Sequence, residues 1–316
     1  MSGPLVSGPL VFDKVVIFGV GLIGGSFALA LRHAGACGHI VGMGRSQAAL
    51  GRALELGIID SIGESVAGAL SGAALVLIAA PVAQTEAILA AMLAHLDEGT
   101  IVTDAGSTKS DVAAAARRAL GNRVGQFVPG HPIAGGESNG PDAAIATLYR
   151  GKKTVLTPLA ENSAVDIARV AGAWTACGAL VRQLTPGEHD KVFAAVSHLP
   201  HLLAYALVDD IARKPHADLL FQYAASGFRD FTRIAASSPE MWRDISLANR
   251  AALLGELDAY LAQLGAMRAM LAAGDGAALE AVYANARRAR HQWTGAIEVA
   301  ETPRAPDMTG SGSSLK

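Results

Sequence analysis

Val15-Val16-Ile17-Phe18-Gly19-Val20-Gly21-Leu22-Ile23-Gly24 is the stretch from which the fold follows. A β-branched and aromatic run, 15–18, ends in glycine, and helix-forming residues, 26–32, follow. In a chain with 35 glycines the G-x-G-x-x-G spacing alone says little. Its setting says more: a strand before it, a helix after it, and a second strand, 39–43, about 20 residues on. In such a loop Gly19 permits the tight turn, Gly21 lets the backbone approach a pyrophosphate, and Gly24 lets helix and strand pack closely. The helix N-terminus at Leu22 and Ile23 offers unpaired N–H groups to the anion. Gly19, Gly21, Leu22, Ile23 and Gly24 are therefore the expected dinucleotide contacts, against the plainer reading of an ordinary glycine turn.

Working outward, short apolar runs alternate with helical stretches. Strands are expected at 75–79, 100–104, 126–128, 153–157 and 179–182, with a helix at 163–174. This is the pattern of an α/β, Rossmann-type doubly wound parallel sheet covered on both faces. After Pro186 helices dominate, over 188–213, 218–236, 239–272 and 277–299, and Ser238-Pro239-Glu240 is a strong helix start. Their Ala- and Leu-rich surfaces must be buried somewhere, so subunit contacts in a homodimer are expected. The division is a dinucleotide-binding domain at 1–186, with 1–12 as a loose arm. An all-helical substrate and dimerisation domain follows at 187–316, with 302–316 as a disordered tail.

Composition narrows the class. Hydrophobic residues make up 51% and charged residues 17%, which suits a well-buried globular protein. A formal charge of -2 gives no electrostatic footprint for nucleic acid, and the Arg287, Arg288 and Arg290 cluster reads as a solvated helix face. Cys37 and Cys177 stand in separate segments without C-x-x-C spacing, so neither a disulfide framework nor a thiolate metal site is expected. The apolar run 73–83 falls short of the about 20 residues a bilayer span needs. The first ten residues lack the features of a signal peptide. A cytoplasmic protein, off the membrane, is the expectation.

The end of the second strand, Gly42-Met43-Gly44-Arg45-Ser46, lacks the carboxylate that usually binds the adenosine ribose hydroxyls. Arg45 and Ser46 suit a 2′-phosphate, so the cofactor is NAD or NADP with a lean toward NADP tolerance. In the alternative, Arg45 only stacks on adenine. Three further clusters carry chemistry. Asp104-Ala105-Gly106-Ser107-Thr108-Lys109 closes the fourth strand, on the edge where doubly wound sheets bind ligands; Ser107 has equally the chemistry of a helix N-cap. Gly130-His131-Pro132-Ile133-Ala134-Gly135-Gly136-Glu137 places a titratable imidazole on a glycine-rich loop where a nicotinamide would lie. In the helical half stand His189-Asp190, Ser197-His198-Leu199-Pro200-His201 and Gly227-Phe228-Arg229-Asp230-Phe231-Thr232-Arg233. Here core or capping roles suit His189 and His198. A zinc pair at His198 and His201 lacks the H-E-x-x-H spacing, and no metal is expected.

Together these strings resemble the prephenate/arogenate dehydrogenase family of tyrosine biosynthesis, over residues 13 to about 293. The resemblance rests on the Gly19 loop, Gly106-Ser107-Thr108-Lys109, His131-Pro132-Ile133-Ala134-Gly135, His189-Asp190 through His201, and the run from Gly227 to Trp242. It implies a small cyclohexadienyl substrate, prephenate or arogenate. Hydride leaves the hydroxyl-bearing carbon, and carbon dioxide departs as the ring becomes aromatic. By the same resemblance His131 draws off the hydroxyl proton, and Ser107 orients His131 and touches both nicotinamide and substrate. Arg233 anchors the ring carboxylate from the wall facing His131, and His201 assists binding. Glu137, Asp230 and Arg233 form an ion network gating the cleft, with Trp242 packed beside it. The chain departs from the pattern at Gly44, where NAD-selective members often carry an acid, and has no room for a fused mutase or regulatory domain. Two other readings stand beside this one. A β-hydroxyacid dehydrogenase or imine reductase fits the histidine-proline loop poorly. A non-catalytic dinucleotide-sensing dimer would not need His131, Ser107 and Arg233 together.

Overall fold

The computed structural model describes residues 11–136 and 138–301; side chains are described through residue 294. The proposed arm, apart from its last two residues, the tail and Glu137 lie outside the described residues. The first half runs β1 (Phe12–Phe18), α1 (Leu22–His33), β2 (Cys37–Met43), α2 (Gln47–Glu55), β3 (Ser61–Ile62), α3 (Val66–Leu70), β4 (Leu75–Ile78), α4 (Thr85–Met92), β5 (Ile101–Asp104), α5 (Ser110–Leu120) and β6 (Phe127–Val128). These strands form a six-stranded sheet in the order β3-β2-β1-β4-β5-β6, parallel at every pairing.

Side chains that alternate along a strand sort the core into two layers. Val15 and Ile17 of β1, with Leu75 and Leu77 of β4, face Phe27, Tyr149 and Trp174. Val16, Phe18, Val76 and Ile78 point the other way, onto Leu70, Leu89, Met92 and Phe127. All eight strand residues are at most 8% exposed, which is why their sequence reads as continuous apolar runs. Each large apolar side chain so buried contributes about 1.5–3 kcal/mol.

The later strands depart from the expectation. β7 (Gly130–Pro132), β8 (Lys153–Leu156) and β9 (Leu180–Gln183) build a separate three-stranded sheet, β8 antiparallel to β7 and parallel to β9; α6 (Ala164–Ala176) joins β8 to β9. His131 therefore sits on a strand rather than on a loop. A three-residue strand containing proline carries no readable alternation, so the sequence showed only the glycines around it. β3, two residues long, was missed for the same reason.

Beyond β9 the chain continues as α7 (Pro186–Phe193), α8 (Leu199–Ala212), α9 (Ala217–Gln222), α10 (Ser226–Thr232), α11 (Pro239–Ala248), α12 (Arg250–Ala273) and α13 (Gly276–Glu301). α7 and α8 join through a π turn over Ala194–His198. Pro200 has no amide to donate back, and the turn before it widens instead of breaking. The expected helix 218–236 is two short helices and a 3-10 turn, Arg233–Ala236; the expected 239–272 helix breaks at Asn249. Ser238 caps α11 as its sequence suggests, accepting from the Met241 amide. The run Pro186–Ala212 is long and apolar enough to cross a membrane by length and composition. It also carries His189, Asp190 and His198, which are buried and hydrogen-bonded, while 28% of its apolar span is buried within the chain. The chain divides into two compact units, residues 1–257 and 258–316, at a point within α12. In the second unit Arg287, Arg288 and Arg290 are exposed on α13, with Arg290 stacked on Trp293.

Candidate active site

The glycine loop meets its steric demands. Gly19 has φ +97°, and a Cβ there would lie 2.5 Å from the carbonyl oxygen of Ala79. A Cβ on Gly24 would overlap the Gly19 carbonyl oxygen, whereas nothing stands within 4 Å of the position a Gly21 Cβ would take. The open face at Gly21 lies between two cavities. One, of about 680 Å³, is lined by Gly19, Gly21, Gly44, Arg45, Ser46, and Pro141 among others. The other, of about 450 Å³, is lined by Gly21, Leu22, Ile23, Ser107, His131, and Met241 among others. Both share Gly21, Ala79, Ala80, Pro81 and Gly140 in their walls. A helix N-terminus, a cradle that any side chain would fill and a long double groove are the requirements of a dinucleotide, and the residues present fit one.

In the first cavity no ion pair is present for Arg45 among the described residues, and no carboxylate lines the walls. Ser46 caps α2 by accepting from the Ala49 amide, which leaves its hydroxyl hydrogen available.

The second cavity is backed by a wall of buried polar groups. Asp104, at the end of β5, is 1% exposed. One carboxylate oxygen accepts from Gly130 N at 2.9 Å; the other accepts from Gly106 N at 2.8 Å and from the Lys109 ammonium. One side chain thus ties the Ser107 segment to the start of β7, where His131 lies. Lys109 is itself fully buried, and a charge so placed is tolerable only because the carboxylate pairs with it. Ser107 is not the N-cap of α5. That position belongs to Lys109, and the orphan amides of Lys109 and Ser110 donate at 2.8 Å to the Asp190 carboxylate from α7. The serine hydroxyl is thereby left in the cavity wall.

Asp190 reaches that place because α7 starts with a capping box: Thr185 accepts from Glu188 N while Glu188 accepts from Thr185 N, with Pro186 in the first turn. His189 and Asp190 then face inward. His189 Nδ1 lies 2.9 Å from Asp190 Oδ1, and its Nε2 lies 2.8 Å from His131 Nδ1. Phe193, one turn on, packs against both rings with centroids 4.9 and 4.4 Å away. Burial, then the neighbouring His189 and the Lys109 charge, push the His131 pKa well below that of a free imidazole, although its ring still lines the cavity. Burial also lowers His189. Burial works against the charge on Asp190, but hydrogen bonds from His189, Ser110 and Lys109 outweigh it and hold the carboxyl below its usual value. His198 accepts at Nδ1 from the Asn249 amide, 3.1 Å away, and burial drops it to about 4.

The remaining expected site residues lie elsewhere. The cavity wall opposite the glycine loop is α11, through Ser238, Met241, Asp244 and Ile245; Arg233, His201 and Asp230 do not line it. The expectation that Arg233 faces His131 across the pocket is thus corrected. A turn at Ser237 separates the Arg233 segment from α11, and spacing along the sequence does not reveal which side of that turn closes the cavity. His201 stacks on Trp242, centroids 3.5 Å apart at 20°; burial lowers its pKa, and the nearby Arg233 charge lowers it further. Arg233 and Asp230 are exposed, and Glu137 lies outside the described residues. Among the described residues no group of three His, Cys, Asp or Glu side chains converges to hold a metal ion.

The sequence reading assigned no chemistry to Lys109 or Asp104, gave His189 a core or capping role, and passed over Asn249. A signal existed for the first two: they stand five residues apart around a strand end, and lysine and aspartate rarely lie inside a protein unless paired. Asn249 had none.

A family described as "Prephenate dehydrogenase, nucleotide-binding domain" matches residues 27–183, and "Prephenate dehydrogenase, dimerization domain" matches 185–284. A cyclohexadienyl dehydrogenase of Zymomonas mobilis is 36% identical over 282 residues, covering 89% of this chain and 96% of that one. The A. aeolicus prephenate dehydrogenase crystallised with hydroxyphenyl propionate and NAD+ superposes with a TM-score of 0.84 at 36% identity, over 90% of this chain and 99% of that one. A Synechocystis arogenate dehydrogenase gives 0.75 at 28% identity, over 89% and 99%. The glycine loop, the His131 cavity and these relatives agree: the chain belongs to the prephenate dehydrogenase family of NAD(P)-dependent oxidoreductases.

Proposed function

We propose that this chain oxidatively decarboxylates a cyclohexadienyl substrate, prephenate or arogenate, passing hydride to NAD or NADP. One observation carries the reading. His131, held by β7, shares one cavity with Ser107 and with the open face of Gly21, so an acid–base group lies beside a dinucleotide site.

When bound, the nicotinamide supplies the hydride acceptor. The protein supplies the rest. His131, kept neutral by its surroundings, takes the proton of the ring hydroxyl as hydride leaves the same carbon. Ser107 orients His131 and the substrate from the adjoining wall. Arg233, exposed beside His201, captures the ring carboxylate by a charge-assisted pair at the rim. His201, fixed by Trp242, contributes to binding near the substrate side chain. Asp230, three residues before Arg233 and exposed like it, adds to the charged group around the substrate's entry. Arg45 and Ser46 hold the adenosine end, and their chemistry favours tolerance of NADP. The helices that follow residue 186 serve as the substrate and dimerisation domain of a homodimer, consistent with the exposed Leu219, Leu220 and Leu261.

The test is reduced-cofactor formation with prephenate and with arogenate, each with NAD and NADP. Cofactor binding without turnover of either compound would favour the dinucleotide-sensor reading instead.

A further inference from the structure

We propose that Asp190, acting through His189, is a positioning residue that fixes which nitrogen of His131 is free to accept a proton. The inference rests on His131 as the base and adds what sets its protonation state.

The assignment follows from the donors and acceptors. The Asp190 carboxylate already accepts from the amides of Lys109 and Ser110, each at 2.8 Å. An ionised carboxylate has no hydrogen to give, so His189 Nδ1, 2.9 Å from it, carries the proton. A neutral His189 then presents only a lone pair at Nε2. His131 Nδ1, 2.8 Å from that lone pair, is the donor. His131 Nε2 is left unprotonated, the condition a base requires. The opposite arrangement would set two lone pairs against each other, or need a charged His189 beside the Lys109 ammonium. Burial and that ammonium both disfavour it. The groups facing the pair are Lys109 and Asp104 from the β5 end, His198 from the π turn, and Asp190 itself. Phe193 excludes water from both rings. The Asp190 backbone carbonyl accepts from the Asn249 amide at 2.8 Å, which anchors α7 at a second point.

The same chain balances the step. The substrate O–H bond breaks and an N–H bond forms at His131 Nε2. The Nδ1–H bond of His131 stays intact, donated to His189 Nε2. The positive charge rests on His131, next to the His189–Asp190 pair, while the hydride would go to a bound nicotinamide and the electron pair released with carbon dioxide completes the aromatic ring.

The experiment uses the full chain with NAD bound, labelled with ¹⁵N-histidine, and reads two-bond proton–nitrogen correlations, His131 being assigned by its loss in His131→Asn. The wild type is expected to show His131 protonated at Nδ1. In Asp190→Asn the new amide donates to His189 Nδ1, and both rings invert. His131 then appears protonated at Nε2, and kcat falls by about 10³-fold with KM within about threefold. His189→Gln keeps an acceptor for His131 Nδ1; it should retain the wild-type tautomer and lose only about tenfold in kcat. A wild-type His131 protonated at Nε2 overturns the proposal. So does an unchanged tautomer in Asp190→Asn, which would leave Asp190 as the cap of α5 alone. If Asp190→Asn does not fold, the wild-type and His189→Gln spectra decide. If the wild type turns over no cyclohexadienyl compound, the functional reading fails while the tautomer measurement still stands.

Discussion

The buried wall behind the second cavity and the exposed segment that carries Arg233, the proposed rim, differ in how their side chains are held. In the wall, Asp104, Lys109, His189 and Asp190 are at most 5% exposed, and each is gripped by groups from different elements. In the exposed segment from α9 through α10, Phe221, Tyr223 and Phe231 are between 40% and 77% exposed, and Asp230 and Arg233 are exposed too. Groups that move a proton need fixed geometry and a dry setting, because misplacement there raises the barrier directly. Groups that capture an anion must be reachable and can adjust. The contrast predicts that damage to the wall costs stability or turnover, and damage to the rim costs affinity.

The largest effect expected is at Lys109. Replacing it with Met strands the buried Asp104 charge and should remove about 3–5 kcal/mol of stability in urea denaturation. A loss below about 1 kcal/mol would mean that the Gly106 and Gly130 amides alone hold the wall. His131→Asn follows, with kcat down about 10³-fold and KM changed by less than about threefold. Steady-state kinetics showing equal effects on both parameters would erase the distinction between wall and rim. Arg233→Ala should do the reverse, raising KM about 10- to 30-fold with kcat nearly unchanged.

Acid provides a subtler probe of the wall. His131 and His189 lie below 6.5 and His198 at about 4, so the native chain keeps neutral imidazoles where the unfolded chain protonates them. The unfolded state therefore binds more protons below pH 6.5, and stability falls as pH drops from 6.5 toward 4. Asp190, whose pKa is lowered, keeps its contribution through that window and loses it only at lower pH. The acid limb of kcat should lie below pH 6.5; a limb above it would show that the wall does not keep His131 neutral. Smallest is Arg45→Ala, which should lower kcat/KM for NADP several-fold and leave NAD within about twofold. Equal losses for both cofactors would leave Arg45 stacked on adenine.

How legible all this was depended on how far apart the interacting residues stand. The glycine loop and the strands at β1, β4 and β5 could be read because turn, strand and helix signals lie within about 20 residues of one another. Ser107 and His131 were marked by their places at strand ends. His189 was not, because its partner His131 is 58 positions away and its other partner, Asp190, looks like any helix-surface acid. Arg233 was placed in the cavity wall, yet that wall is α11, which begins six residues further on.

The sequence alone determined the α/β layering, the dinucleotide loop and the helical second half, since local periodicity and glycine spacing encode backbone shape. Only the tertiary structure decided that β7 to β9 form their own sheet, that Asp104 and Lys109 neutralise each other, and that an aspartate on α7 stands behind the imidazole of β7. Hydrogen-bond partners across long separations leave no periodic trace. They exist only once the chain has brought donor and acceptor within about 3 Å and excluded the water that would otherwise satisfy them.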